Sequence, residues 1–185
     1  MFRATMFTLT LIAAANPGLA DEVTDTLSAA LQAYEDGDID DAIEELDYAK
    51  HLLQALSAQA LTAYLPEPPA GWSREISEEG MNAGLAMLGG GVAAEAVYSD
   101  GSTRFTLSLM ADNPMVAGFA PMIASAGMLG LKMHRVGAEK FYENDDQLLA
   151  LVDNRILVQA EGAPADVMIG VLEKIDFAAL EGFGG

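Results

Sequence analysis

Residues 93–110 read AAEAVYSDGSTRFTLSLM, and this stretch decides the fold. Asp100-Gly101 is a dipeptide that takes the positive backbone angles of a tight turn, and it is flanked by Ala93 to Tyr98 and Thr103 to Met110. In the second arm Phe105, Leu107 and Leu109 alternate with Arg104, Thr106 and Ser108, so a period of two sends one face into a core and the other into water. That is the pattern of a β-hairpin. Working toward the C-terminus, further strands are expected at Leu131 to Val136, Ala138 to Tyr142, Leu148 to Val152 and Ile156 to Glu161, with Asp153-Asn154 as the last turn. Between them Pro114 opens a helix expected to reach about Leu129, with Met115, Phe119, Met122 and Ala126 on its buried side. Pro164-Ala165-Asp166 starts a final helix to about Ile175, and residues 182–185 read as a loose tail. Hairpins with helices inserted and appended predict an α+β fold, a small antiparallel sheet with packed helices over residues 73–181.

Working toward the N-terminus, the texture changes. Residues 21–65 are rich in Ala, Leu and acid, with Gly37 their one glycine, and they read as an acidic helical hairpin. Val23, Leu27, Ala30, Leu31 and Tyr34 recur at steps of three and four, which places them on one face of a first helix. Gly37 ends it by accepting a left-handed backbone. Asp38 stands at the cap of the next helix, Asp40 and Asp41 sit in its first turn, and Ile39, Ala42, Ile43, Leu46, Ala49, Leu53, Leu56, Ala60 and Tyr64 form its apolar stripe. Pro66, Pro68 and Pro69 make residues 66–72 a stiff connector and an expected domain boundary.

The run Ala33-Tyr34-Glu35-Asp36-Gly37-Asp38, with Ala42, Leu46 and Ala49 after it, resembles the turn and second helix of a tetratricopeptide repeat over about residues 26–61. The resemblance implies two antiparallel helices packed through small side chains. Thr26 stands where that family favours a large aromatic, and no second copy follows. One such repeat cannot bury its own apolar faces, so the hairpin needs something to pack against.

Residues 1–20, MFRATMFTLTLIAAANPGLA, have the organisation of a cleavable signal peptide: Arg3, an apolar run from Met6 to Ala15, a break at Asn16-Pro17 and small residues before Asp21. Ala15 is too close to Met6 for the run to span a bilayer, and no Cys is present to take a lipid. The expected product is an exported, periplasmic protein with no stable membrane insertion after cleavage. Removing residues 1–20 takes away one base and no acid, leaving 8 basic against 28 acidic residues. A net charge near −20 argues against nucleic acid and anionic membranes as partners. Zero Cys in an exported chain excludes disulfides, thiol catalysis and Cys-based zinc sites.

Chemistry-bearing residues are sparse. Gly89-Gly90-Gly91 lacks the GxxxxGK[ST] pattern that cradles phosphate, and reads as a flexible loop in which Met81, Leu85, Met87 and Leu88 fold over a groove. His51 falls beside Lys50 on the second helix and His134 on a strand opposite Met133; neither has a catalytic neighbour in the sequence. Met110, Met115, Met122, Met128 and Met133 precede His134, and thioethers with an imidazole suit Cu(I), so Met128, Met133 and His134 are the copper candidates. Buried helix faces use the same Met spacing. The acids from Glu35 to Asp41 do not meet EF-hand spacing, because Gly37 comes too early. The reading that results is a non-enzymatic accessory protein without a cofactor, acting through protein contacts or self-association. Trp72, Met81, Leu85 and Met87 are its candidate contact residues. A Cu(I)-binding protein and an uncharacterised hydrolase are the alternatives.

Overall fold

The computed structural model describes residues 17–77, 85, 90–126, 128 and 130–184. Two helices come first, α1 (Pro17–Asp36) and α2 (Ile39–Thr62). Gly37 joins them with φ +88°, its N–H donating to Tyr34 O at 3.2 Å while Asp38 N–H donates to Ala33 O at 2.9 Å. These are the two bonds that satisfy a helix's last carbonyls when the next residue is left-handed. Asp40 and Asp41 occupy the first turn of α2, where the helix dipole favours acid.

Among the described residues seven strands follow: β1 (Ser73–Ser77), β2 (Val92–Ser99), β3 (Arg104–Ala111), β4 (Lys132–Val136), β5 (Glu139–Asn144), β6 (Gln147–Val152) and β7 (Ile156–Glu161). They form one antiparallel sheet in the order β1-β2-β3-β7-β6-β5-β4. Two meanders, β1 to β3 and β4 to β7, therefore meet at the β3–β7 pair, where Leu107 faces Ala160 and Leu109 faces Val158. The Asp100-Gly101 turn forms as its sequence requires, with Gly101 at φ +89° and Asp100 Oδ1 accepting from Ser102 and Thr103 N–H. Asp153 and Asn154 both take positive φ in the last turn.

One sheet face carries Tyr98, Phe105, Leu107, Leu109, Phe141, Leu148, Ile156 and Val158, all buried. Leu61 and Leu65 join this core, with the helices α4 (Ala165–Leu172) and α5 (Phe177–Glu181). The opposite face is covered by α3 (Pro114–Ser125), whose Val116 packs with Leu149 and Leu157. Asn113 caps α3, its Oδ1 accepting from Met115 N–H at 2.8 Å while its amide donates to Gly90 O.

Packing divides the chain into two compact units after Leu53, inside α2. Pro66 belongs to the sheet unit: its carbonyl accepts from Tyr98 Oη at 2.6 Å and from Arg74 Nη1 at 3.0 Å. β1, an edge strand of five residues, had no clear alternation to announce it. On α3 the buried line runs through Val116 and not Met115, which is exposed. Both lines share Phe119 and Ala126, and a helix apolar on every side offers periodicity no contrast with which to choose. The expected loose tail is anchored: Phe183 is buried, its ring meets Tyr64 edge-on at 5.9 Å, and its carbonyl accepts from Arg155, which also holds Asp112 at 2.9 Å.

Candidate functional site

In the hairpin the buried positions are Val23, Thr26 and Ala30 on α1, and Ala42, Ala49 and Leu52 on α2. They are mostly small. The large apolar residues lie elsewhere: Leu27, Leu31 and Tyr34 on α1, and Ile39, Ile43, Leu46 and Leu53 on α2, are exposed, with Tyr34 reaching 65%. Each exposed set advances by a step of four and then one of three, with Leu53 a further seven residues on, which holds it to one stripe along its helix.

Handedness places the two stripes on the same side. Leu27, Leu31 and Tyr34 each follow by one residue a position on the inward line of α1, and Ile43 and Leu53 do the same on α2. One residue turns a right-handed helix by about 100°. In antiparallel neighbours that turn carries both sets to one side of the pair. The opposite side is polar, and there the Tyr48 hydroxyl donates to Glu22 Oε1 at 2.7 Å from one helix to the other. Donating to a carboxylate favours the neutral phenol and raises the Tyr48 pKa above its ordinary value, first through that hydrogen bond and then through the charge of Glu22. Residues preceding the inward line by one therefore share a side, as the geometry demands.

Carboxylates border the apolar side. Asp21 and Glu35 fall beyond the α1 stripe, and Asp40 and Asp47 beyond the α2 stripe, by the same angular count. Residues 21–53 hold eleven acids against one base, Lys50, which interrupts the α2 stripe between Leu46 and Leu53.

The other sequence candidates are placed as follows. Trp72 is half-buried, its ring 5.8 Å from Phe105 and tilted by 59°, so most of its apolar body packs within the sheet unit. Leu85 is buried and offers no surface to a partner. Met81 and Met87 lie outside the described residues. Met128 is 87% exposed. Met133 and His134 are neighbours on β4 and so face opposite sides of the sheet. His134 Nε2 is paired with Glu143 Oε2 at 2.5 Å, and Lys132 Nζ reaches the same oxygen at 3.1 Å. These bonds, that of His134 first, lower the Glu143 pKa below its ordinary value. His51 is exposed on α2. No group of three or more His, Asp or Glu suited to a metal ion occurs among the described residues. An open cleft is lined by Glu143, Asp145, Asp146, Gln147, Ala163 and Met168, and the Glu143 carboxylate at its edge is the one held by His134 and Lys132.

Sequence reasoning missed which hairpin residues face inward. It placed Val23, Ala30, Ala42 and Ala49 on one face with Leu27, Leu31, Ile43 and Leu46, and the structure buries the first group while leaving the second exposed. The available signal was the one-residue offset between the Ala line and the Leu and Ile line. No described helix is long and apolar enough to cross a membrane. No family model, curated relative or solved structure matches the chain.

Proposed function

We propose that this chain is an exported, periplasmic, non-enzymatic accessory protein that works by binding another protein through the apolar side of its helical hairpin. The observation that carries the reading is the side formed by Leu27, Leu31, Tyr34, Ile39, Ile43, Leu46 and Leu53, seven large apolar residues exposed together. Isolated exposed leucines need no explanation, whereas contiguous apolar surface bordered by charge is where partners bind. The likeness of residues 26–61 to one tetratricopeptide repeat fits the same reading, because a lone repeat leaves such a face uncovered.

Export is part of the proposal. Cleavage before Asp21 would remove Pro17 to Ala20 from α1 and leave Asp21 and Glu22 in its new first turn, where acid is favoured. The buried hairpin residues begin at Val23 and would all be retained.

Native mass spectrometry of the protein recovered from its own exported fraction tests the reading. A chain beginning at Asp21 in complex with a second protein is the expected result. A full-length chain in the membrane fraction would refute export. A monomer holding one copper ion would favour Met128, Met133 and His134 as the working residues instead.

A further inference from the structure

Resting on that reading, we propose that the partner presents a cationic amphipathic helix, laid lengthwise on the apolar side of the hairpin. Two independent observations select this occupant. The first is spacing: Leu27, Leu31 and Tyr34 advance by four and then three residues, as do Ile39, Ile43 and Leu46, and Leu53 follows Leu46 by seven with Lys50 between, so both lines keep a period of three and a half. That spacing accepts the side chains of another helix as knobs into holes, which neither a strand nor an extended peptide matches. Ile39 to Leu53 spans about 21 Å, the length of a helix of four turns.

The second observation is charge. Asp21 and Glu35 border one edge of the surface and Asp40 and Asp47 the other, in a hairpin with eleven acids and one base over residues 21–53. A second copy of this chain would bring the same carboxylates against them, and like charges brought together at an interface cost several kcal/mol. An anionic lipid surface meets the same repulsion. A helix with an apolar stripe flanked by Lys or Arg satisfies both borders at once. Lys50, standing in the stripe, would face a polar or acidic residue of the partner and fix its register.

Three peptides of about four helical turns serve as probes: one with Leu at alternating three and four steps and Lys on the flanks, one with Glu replacing Lys, and one with Ser replacing Leu. Each is titrated into the purified exported protein by fluorescence anisotropy at low and high salt, alongside Ile43→Asp/Leu46→Asp. That variant is two charges more acidic, so attraction by charge alone would strengthen its binding. The expected result is saturable binding of the Leu/Lys peptide, weakened by salt and at least tenfold tighter than either control. The variant should lose at least about tenfold, a change near 1.4 kcal/mol, while keeping the wild-type circular dichroism. Equal binding of the Ser/Lys peptide, or undiminished binding by the variant, overturns the proposal. Equal or tighter binding of the Leu/Glu peptide, or a homodimer that strengthens with salt and is abolished in the variant, overturns the cationic occupant but leaves a binding face. A monomer that binds none of the three overturns both readings.

Discussion

The hairpin and the sheet unit treat large apolar residues in opposite ways. In the sheet unit Tyr98, Phe105, Leu107, Phe141 and Leu148 are each at most 1% exposed, and aromatic rings close the core, Tyr98 stacked on Phe105 at 5.1 Å. In the hairpin the inward line is largely Val, Thr and Ala, and the Leu and Ile residues stand outside it. Charge divides the same way: eleven acids to one base over residues 21–53, against seventeen to seven over residues 54–185. An apolar stripe thus has two meanings. In the sheet unit the stripe is core, and in the hairpin it is exposed surface.

The comparison can be broken most sharply at Phe105. Phe105→Ala empties the layer between Tyr98 and Trp72 and should cost about 3–5 kcal/mol, read as a drop in the urea midpoint. A loss below about 1 kcal/mol would mean that this layer does not hold the sheet. Gly91→Ala comes next. A Cβ there would lie 2.8 Å from Ala111 O and from Asn113 Cβ on a backbone at φ +95°, at a cost of about 1–3 kcal/mol in the same assay. Asn113→Ala removes the α3 cap and its bond to Gly90 O, for about 0.5–2 kcal/mol; an unchanged thermal midpoint would disprove the cap's role.

The hairpin should answer differently. Leu31→Ser, at a position 59% exposed, should change stability by less than about 0.5 kcal/mol, since little burial is lost. A cost like that of Phe105→Ala would show that the stripe is core after all. The smallest effect is one of pH. Because the folded-state pKa of Glu143 is lowered, its pairs with His134 and Lys132 favour the fold above the ordinary carboxylate range. That contribution is lost as pH falls through the lowered value. Asp100, lowered chiefly by the Thr103 and Ser102 N–H groups, acts in the same sense. Glu143→Gln should flatten the acid limb of a stability profile, and an unchanged limb would refute the role of that pair.

Much of the sheet was legible because strands such as β3 alternate apolar and polar residues and turns carry Asp-Gly or Asp-Asn. The fold class and six of the seven strands follow from those signals. β1 was not legible, since Ser73-Arg74-Glu75-Ile76-Ser77 has one apolar residue and owes its place to pairing with β2. The end of the chain was misread for a different reason. Gly182 and Gly184 flank Phe183, and nothing nearby in sequence announces that Arg155 and Tyr64 will hold it. The hairpin was legible as two helices and a turn, but not in its facing. Periodicity reports an amphipathic face without reporting which neighbour covers it. Trp72 and Leu85, chosen as contact residues, belong largely to interior packing, where most aromatic and leucine side chains find their partners.

The pairing of β3 with β7 has a kinetic consequence. Each meander forms from strands consecutive in the chain, but Leu109 and Val158 must find each other across nearly fifty residues. Closing so long a segment is entropically slow, and little reward arrives until the central strands meet. The seam is therefore the expected late event in folding, with two half-sheets formed first and each exposing an unpaired central edge. Such edges pair readily with those of other molecules, so refolding yield should fall with protein concentration well before native stability does.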